Sequence, residues 1–174
     1  MEFESFQKIP RLKRQCVITE KIDGTNGQIA ITEDGQMWVG SRNRWITPEN
    51  DNYGFARWVS EHREELLLLG VGRHYGEWWG NGIQRRYGMP IKKFSLFNVH
   101  RWTEGLPECC SLVPVLYQGD FDTMVIDEVM AKLKLTGSVA SPGFMNPEGI
   151  IIYHTASKGL SKMTFEHDQT GKPE

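Results

Sequence analysis

Residues 15–40 read QCVITEKIDGTNGQIAITEDGQMWVG. Three apolar runs, 15–20, 27–33 and 36–40, are separated by Gly24-Thr25-Asn26-Gly27 and by Asp34-Gly35. Asp-Gly between alternating runs is a strong hairpin signal, so the stretch predicts antiparallel strands. The first run ends awkwardly. Glu20, Lys21 and Asp23 put three charges where a strand should bury itself. One reading is an ordinary hairpin with an ion pair. The other is a lysine held for chemistry. Lys21 and Asp23 stand two residues apart and share a strand face, and Gly24 lets the backbone turn close to a ligand. The pattern KxDG is too short to decide alone.

Outward from this stretch, Asn50-Asp51 predicts a helix cap. Phe55, Trp58, Val59, His62, Leu66 and Leu69 recur at helical spacing up to Gly70. Strands are predicted near 72–79, 94–102 and 111–117. Asp120 or Asp122 caps a second helix whose apolar face is Val125, Ile126, Val129, Met130 and Leu133, and Gly137 ends it. Gly149–Tyr153 and Leu160–Glu166 read as two last strands. Antiparallel strands with two packed helices make an α+β fold. Strands and helices do not alternate, and neither GxGxxG nor GxxxxGK[ST] occurs, which argues against the doubly wound nucleotide folds. Residues 1–166 are expected to form a single domain, and 167–174 a polar tail with no second nucleic-acid-binding domain.

Length and composition bound the function. The 174 residues suit one domain with a sizeable core, and 39% hydrophobic against 24% charged residues is ordinary for a soluble protein. No apolar run approaches the ~18 residues of a membrane span, and no signal-peptide core opens the chain. Cys16, Cys109 and Cys110 are odd in number and two are adjacent, so no disulfide framework is expected. A cytoplasmic protein follows, in a host cytoplasm if the source is viral. The net charge of −2 does not announce a nucleic-acid binder. Its distribution is more suggestive: Arg73, Arg85, Arg86, Lys92, Lys93 and Arg101 face a single acid, Glu77, over residues 73–101. Arg85, Arg86, Lys92 and Lys93, with Arg44, are the candidate contacts for nucleic-acid phosphates.

Four further stretches carry candidate chemistry. Gly40-Ser41-Arg42-Asn43-Arg44 flanks small polar residues with two arginines, which suits phosphate. His74-Tyr75-Gly76-Glu77-Trp78-Trp79-Gly80 sets a glutamate in an aromatic strand, where an unpartnered carboxylate is costly, and the continuation Asn81-Gly82-Ile83-Gln84-Arg85-Arg86-Tyr87-Gly88 reads as a loop shaped around a ligand. Trp78 and Trp79 point to opposite faces, so at least one belongs to the core. Phe94-Ser95-Leu96-Phe97-Asn98-Val99 is by default a core strand, with Phe97 available to a nucleobase. Glu148 leads Gly149-Ile150-Ile151-Ile152-Tyr153, and Ser161-Lys162-Met163-Thr164-Phe165 follows. Each alone is compatible with ordinary structure.

Taken in order, KxDG, SR, GEWWG, FSLFNV, EGIIIY and SKMTF resemble the motifs of the covalent nucleotidyltransferases, the polynucleotide ligases and mRNA capping enzymes. The wording of Glu20-Lys21-Ile22-Asp23-Gly24-Thr25-Asn26 is most similar to the phage-type RNA ligases that seal nicks in duplex RNA. The resemblance runs from about Ile9 to Phe165. It implies the ligase/capping-enzyme nucleotidyltransferase (adenylation) fold and an ATP-dependent ligase that joins 5′-phosphate and 3′-hydroxyl ends of RNA. Lys21 would form a lysyl–AMP adduct from ATP. A free lysine has a pKa of about 10.4, so the nucleophile needs desolvation or nearby cations. Lys162 and Arg42 would neutralise the α-phosphate. Glu77 would take the ribose hydroxyls, and Phe97 would stack on adenine. Glu148 would hold Mg²⁺. Asp23 would act at nick sealing. Glu20 and Asn26 complete the implied nucleotide-contacting set.

Two departures qualify the implication. The last motif of the family often has two lysines one residue apart. Here the second position is Thr164, and Lys158 lies four residues before Lys162. Many relatives also carry a second domain that grips nucleic acid, so an accessory nucleic-acid-binding partner is conceivable. A DNA ligase, a GTP-using capping enzyme, and a nucleic-acid-end binding module without turnover stay open as alternatives.

Overall fold

In the computed structural model, which describes residues 2–166, the opening stretch forms β1 (Gln15–Lys21), β2 (Thr25–Ile31) and β3 (Met37–Gly40). Asp34-Gly35 makes the expected hairpin, with Ile29 opposite Val39. The Lys21–Asn26 segment, by contrast, is no hairpin. β1 and β2 lie in different sheets, and Ile22-Asp23-Gly24 carries the chain from one to the other.

Residues Gly72–Gly80 (β4), Lys92–Leu96 (β5) and Cys110–Leu112 (β6) complete one sheet in the order β3-β2-β4-β5-β6. Val115–Asp120 (β7), Gly149–His154 (β8) and Gly159–Thr164 (β9) complete the other, in the order β7-β1-β8-β9. Every pairing is antiparallel except β5 with β6. The α+β class and its antiparallel character therefore hold.

Each sheet buries one face under helix. Phe55–Glu61 (α1) packs Phe55 and Val59 against Ile29, Trp78 and Phe94 of the five-stranded sheet. The Phe55 ring lies 4.9 Å from that of Phe94 and 5.4 Å from that of Trp78. Thr123–Thr136 (α3) packs Ile126 and Leu133 against Cys16, Ile18, Ile150 and Ile152 of the four-stranded sheet. Burying each such side chain contributes about 1.5–3 kcal/mol, so both sheets are firmly backed. Asp122 caps α3 by accepting from the Met124 N–H at 2.8 Å, and Gly137 ends it.

Three expectations need correction. The helix over 55–69 is not continuous. It breaks at His62, followed by a short helix, Arg63–Leu66 (α2), and a 3₁₀ turn, Leu67–Leu69. The Trp58 carbonyl there meets both the His62 N–H and its ring Nδ1, at 3.1 and 2.9 Å. The strand over 94–102 stops at Leu96, because Phe97–Arg101 turns back on itself through Val99 N–H to Phe97 O and Arg101 N–H to Asn98 O. The strand over 111–117 is two strands in two sheets. Pro114, which has no N–H for a ladder, stands between them, and its carbonyl accepts from the Glu20 N–H at 2.9 Å. The 167–174 tail lies outside the described residues.

The unhelical faces of the two sheets look onto one cavity. On the four-stranded sheet, Thr19, Ile151 and Lys162 form one row across β1, β8 and β9, and Val17, Tyr153 and Leu160 the next. On the five-stranded sheet, Asn26 pairs with Glu77 and Gln28 with Tyr75. Because the side-chain period of a strand is two, odd positions of β1 face the cavity and even ones face α3.

Candidate active site

The cavity between the sheets has a volume of about 1260 Å³. It is lined by Lys21, Asp23, Asn26, Arg42, Glu77, Phe97 and Lys162 among others, so five separate segments of the chain converge on it. Lys21 ends β1, opposite Gly149 of β8, and this register sets Glu148 beside it. The Lys21 ammonium donates to Glu148 Oε2 at 2.6 Å. Gly149 has φ 153, and a Cβ there would stand 2.1 Å from the Met163 carbonyl oxygen. The glycine is therefore required where β8 and β9 close beside the lysine.

Glu77 sits on β4 with 8% of its surface exposed. Its Oε1 accepts from the Gly24 N–H at 3.0 Å, and its Oε2 from Asn26 Nδ2 at 3.2 Å. Burial pushes its carboxyl up from the ordinary 4.5 to about 7, against the opposing attraction of Lys21. Gly24 passes so close to β4 that a Cβ would lie 2.5 Å from the Trp78 carbonyl oxygen. Both tryptophans are buried: Trp78 joins the core under α1, and Trp79 donates to Ser95 Oγ at 2.8 Å.

Arg42 follows β3 and Lys162 lies on β9, both exposed and both lining the cavity. Among the described residues neither side chain has a hydrogen-bond or ion-pair partner, so both charges are available to a phosphate. Phe97 lies just past β5 and leaves 42% of its surface open. Lys158 is in the β8–β9 turn, at the opposite end of β9 from Thr164, which stands across from Gly149.

Four predicted contacts, Glu20, Arg85, Lys92 and Arg44, are engaged by other groups of the protein. Glu20 is buried at the edge of the cavity, and its carboxylate is turned to residues 138–140. It accepts from Ser138 Oγ at 2.5 Å and from the Val139 and Ala140 N–H groups at 2.8 and 2.9 Å. Arg85 is turned inward. It donates to Asp23 Oδ2 at 3.0 Å, pairs with Glu166 at 3.1 Å and reaches the Asn146 carbonyl at 3.5 Å. Lys92 donates to the Tyr53 carbonyl at 2.7 Å, and Arg44 to the Asn50 and Asp51 carbonyls at 3.3 and 3.4 Å. Arg86 is exposed and Lys93 half-buried.

Tyr87 was not singled out by sequence. Its buried hydroxyl accepts from the Asp23 N–H at 2.8 Å, and burial pushes its phenol above the usual range. Gln84, Arg86 and Tyr87 all have positive φ, so the β4–β5 loop is wound to aim Arg85 and Tyr87 at Asp23. The glycine-rich sequence marks the loop but not its partner, since the loop meets Asp23 only in the folded chain.

The carboxylate of Glu148 fits a magnesium-type ion held by one or two carboxylates, substrate phosphates and water. Among the described residues no cluster of three or more His, Cys, Asp or Glu side chains could hold a metal by itself. All three cysteines are free thiols, and among the described residues no helix is long and apolar enough to cross a membrane.

Comparison with curated protein sequences finds no match. Solved structures do match. A Naegleria gruberi RNA ligase without ligand superposes with a TM-score of 0.63 at 20% identity, covering 86% of this chain and 49% of that one. A mutant with ATP and Mn gives 0.64 at 19% identity, covering 87% and 50%. Another, with AMP and Mn, gives 0.61 at 19% identity, covering 86% and 49%. This chain thus shares their fold and spans about half their length. A family model described as RNA ligase matches residues 14–170. Since that match covers most of the 174 residues, the chain belongs to the RNA ligase family.

Proposed function

We propose that this chain is an ATP-dependent RNA ligase that works through a lysyl–AMP adduct on Lys21, its two sheets acting as one nucleotidyltransferase domain. The observation that carries the reading is the position of Lys21. It ends a strand with the Glu148 carboxylate at 2.6 Å, in a cavity that also presents Arg42, Lys162, the buried Glu77 and the open Phe97. The Naegleria variants lend support. Their substitutions include a lysine and an aspartate two apart, as Lys21 and Asp23 are, and a glutamate and a lysine fourteen apart, as Glu148 and Lys162 are.

In the proposed first step, adenine stacks on Phe97 and the ribose hydroxyls donate to Glu77. Arg42 and Lys162 face the phosphates. Lys21 Nζ gives up a proton to solvent and attacks the α-phosphorus. The P–N bond forms as the bond to the bridging oxygen breaks, and pyrophosphate leaves with that electron pair. Arg42 and Lys162 stabilise the charge that grows on the α-phosphate oxygens. A divalent ion held through Glu148 would supply further charge neutralisation at the phosphates. AMP then passes to an RNA 5′-phosphate, and a 3′-hydroxyl displaces it to join the ends. Asn26 would contact phosphate, and Asp23, clamped by Arg85 and Tyr87, would serve the joining step. Glu20, fully engaged by residues 138–140, would act by fixing the end of β1 rather than by touching nucleotide. An accessory partner would add grip on the RNA, and a cytoplasmic setting would supply the reduced conditions its free thiols suit.

The test is self-adenylylation. Purified protein is incubated with α-labelled ATP and Mg²⁺ or Mn²⁺, denatured and examined for retained label, with Lys21→Ala alongside. Label on the wild type that vanishes in the variant is expected. Absence of label from ATP, GTP and NAD would overturn the enzyme reading.

A further inference from the structure

The face of the five-stranded sheet that holds Glu77 does not end at the cavity. In the next row out, Phe97 N–H pairs with the Tyr75 carbonyl at 3.0 Å, and Tyr75 stands opposite Gln28. In the row beyond, Arg73 stands opposite Ala30, and Ala30 opposite Trp38. Trp45 joins through its bridge to Gly40. At about 3.3 Å per residue, Arg73 lies about 13 Å from Glu77 along β4. One sheet face thus runs from the cavity into an open strip.

The strip is aromatic and cationic together. Tyr75 and Trp38 are each 51% exposed, and Trp45 43%. Trp38 and Trp45 are paired at 6.0 Å, and the Arg73 guanidinium lies 5.6 Å from the Trp45 ring centroid. Trp38, Trp45 and Arg73 line an open hollow of about 790 Å³, with Glu33 and Asp34 also in its lining. Exposed rings with an arginine suit the faces of unpaired bases and a phosphate backbone, whereas paired bases offer no free face to stack. Arg73 also donates to Gln28 Oε1 at 3.4 Å, and Arg42, on the loop between β3 and Trp45, adds a second cation near the cavity.

We propose that Trp38, Trp45, Tyr75 and Arg73 form a stacking site for unpaired nucleotides of the RNA whose end occupies the cavity. The proposal rests on the ligase reading above for its substrate, and on the strip's continuity with the cavity for its location. It makes the chain a ligase that favours single-stranded or overhanging ends over fully paired ones.

The experiment measures fluorescence anisotropy of a labelled, 5′-phosphorylated single-stranded RNA, without nucleotide. It compares wild type with Trp38→Ala, Trp45→Ala and Arg73→Ala. Trp38→Phe and Trp45→Phe keep an aromatic face and control for folding. Each tryptophan-to-alanine change is expected to weaken binding about 5- to 100-fold, with the phenylalanine variants close to wild type. Self-adenylylation should be unchanged in all of them. A blunt RNA duplex should bind wild type and variants alike. Affinities of the alanine variants within about twofold of wild type, or no binding by wild type, would overturn the strip. Failure of wild-type self-adenylylation would count against the ligase reading alone, because the anisotropy needs no nucleotide.

Discussion

Glu77 offers a test that does not depend on having the right substrate. Its carboxyl is buried beside the Gly24 N–H and Asn26, and burial lifts it from 4.5 to about 7. That displacement corresponds to about 3 kcal/mol in favour of the protonated form. Since the folded value is raised, the folded chain binds the extra proton between pH 4.5 and about 7. The stability this brings is full below 4.5 and is lost as the pH rises through about 7. Glu77→Gln removes the titration while retaining an oxygen for the Gly24 N–H. Urea unfolding of both proteins across this pH range isolates the effect. Near the acidic end the two should be similar. Above pH 7 the glutamine variant should gain on the wild type by up to about 3 kcal/mol. A difference between the two that stays constant across the range would refute the buried, raised carboxyl. Nucleotide should reverse the displacement if ribose hydroxyls donate to the carboxylate. ATP binding near pH 6.5–7 should then release up to about one proton, read as a buffer-dependent heat in calorimetry.

Three other perturbations probe the framework of the site. Gly149→Ala would press a Cβ to 2.1 Å from the Met163 carbonyl, so it should cost about 2 kcal/mol or more in urea unfolding and displace Glu148 from Lys21. A cost under about 0.5 kcal/mol would mean the β8–β9 closure is looser than described. Glu20→Ala leaves the N–H groups of residues 139 and 140 and the Ser138 hydroxyl without their acceptor, which should cost about 2 kcal/mol, a fall of about 4–8 °C in Tm. An unchanged Tm would show that the 138–140 turn does not depend on that carboxylate. For Arg85→Ala and Asp23→Asn, joining of a pre-adenylylated RNA 5′ end to a 3′-hydroxyl should show coupling of about 1 kcal/mol or more in a double-mutant cycle. Simple additivity would show that Arg85 does not act through Asp23.

Local chemistry was legible wherever one segment decides its own conformation. Asp34-Gly35 specifies the β2–β3 hairpin by turn geometry, and Asp122 and Gly137 bound α3 by capping. The alternation of Cys16, Ile18 and Glu20 with Val17, Thr19 and Lys21 separates the faces of β1 in the sequence itself. The break at His62 carries no glycine or proline, so periodicity runs through it unmarked. Phe97 continues the alternation of β5, which therefore reads longer than its pairing.

The residue types around the proposed phosphate site, and their order along the chain, were determined by the sequence alone. What the tertiary structure decided was adjacency. Alternation is identical whichever sheet a strand joins. Only the fold shows that the chain changes sheets at Ile22-Asp23-Gly24 and again at Pro114, which opens the cavity between them. Only the β1–β8 register brings Glu148 to Lys21, and only the wound β4–β5 loop brings Arg85 and Tyr87 to Asp23. Glu20 and Lys21 are neighbours in sequence, yet the strand's period of two sends one to the turn after α3 and the other into the cavity.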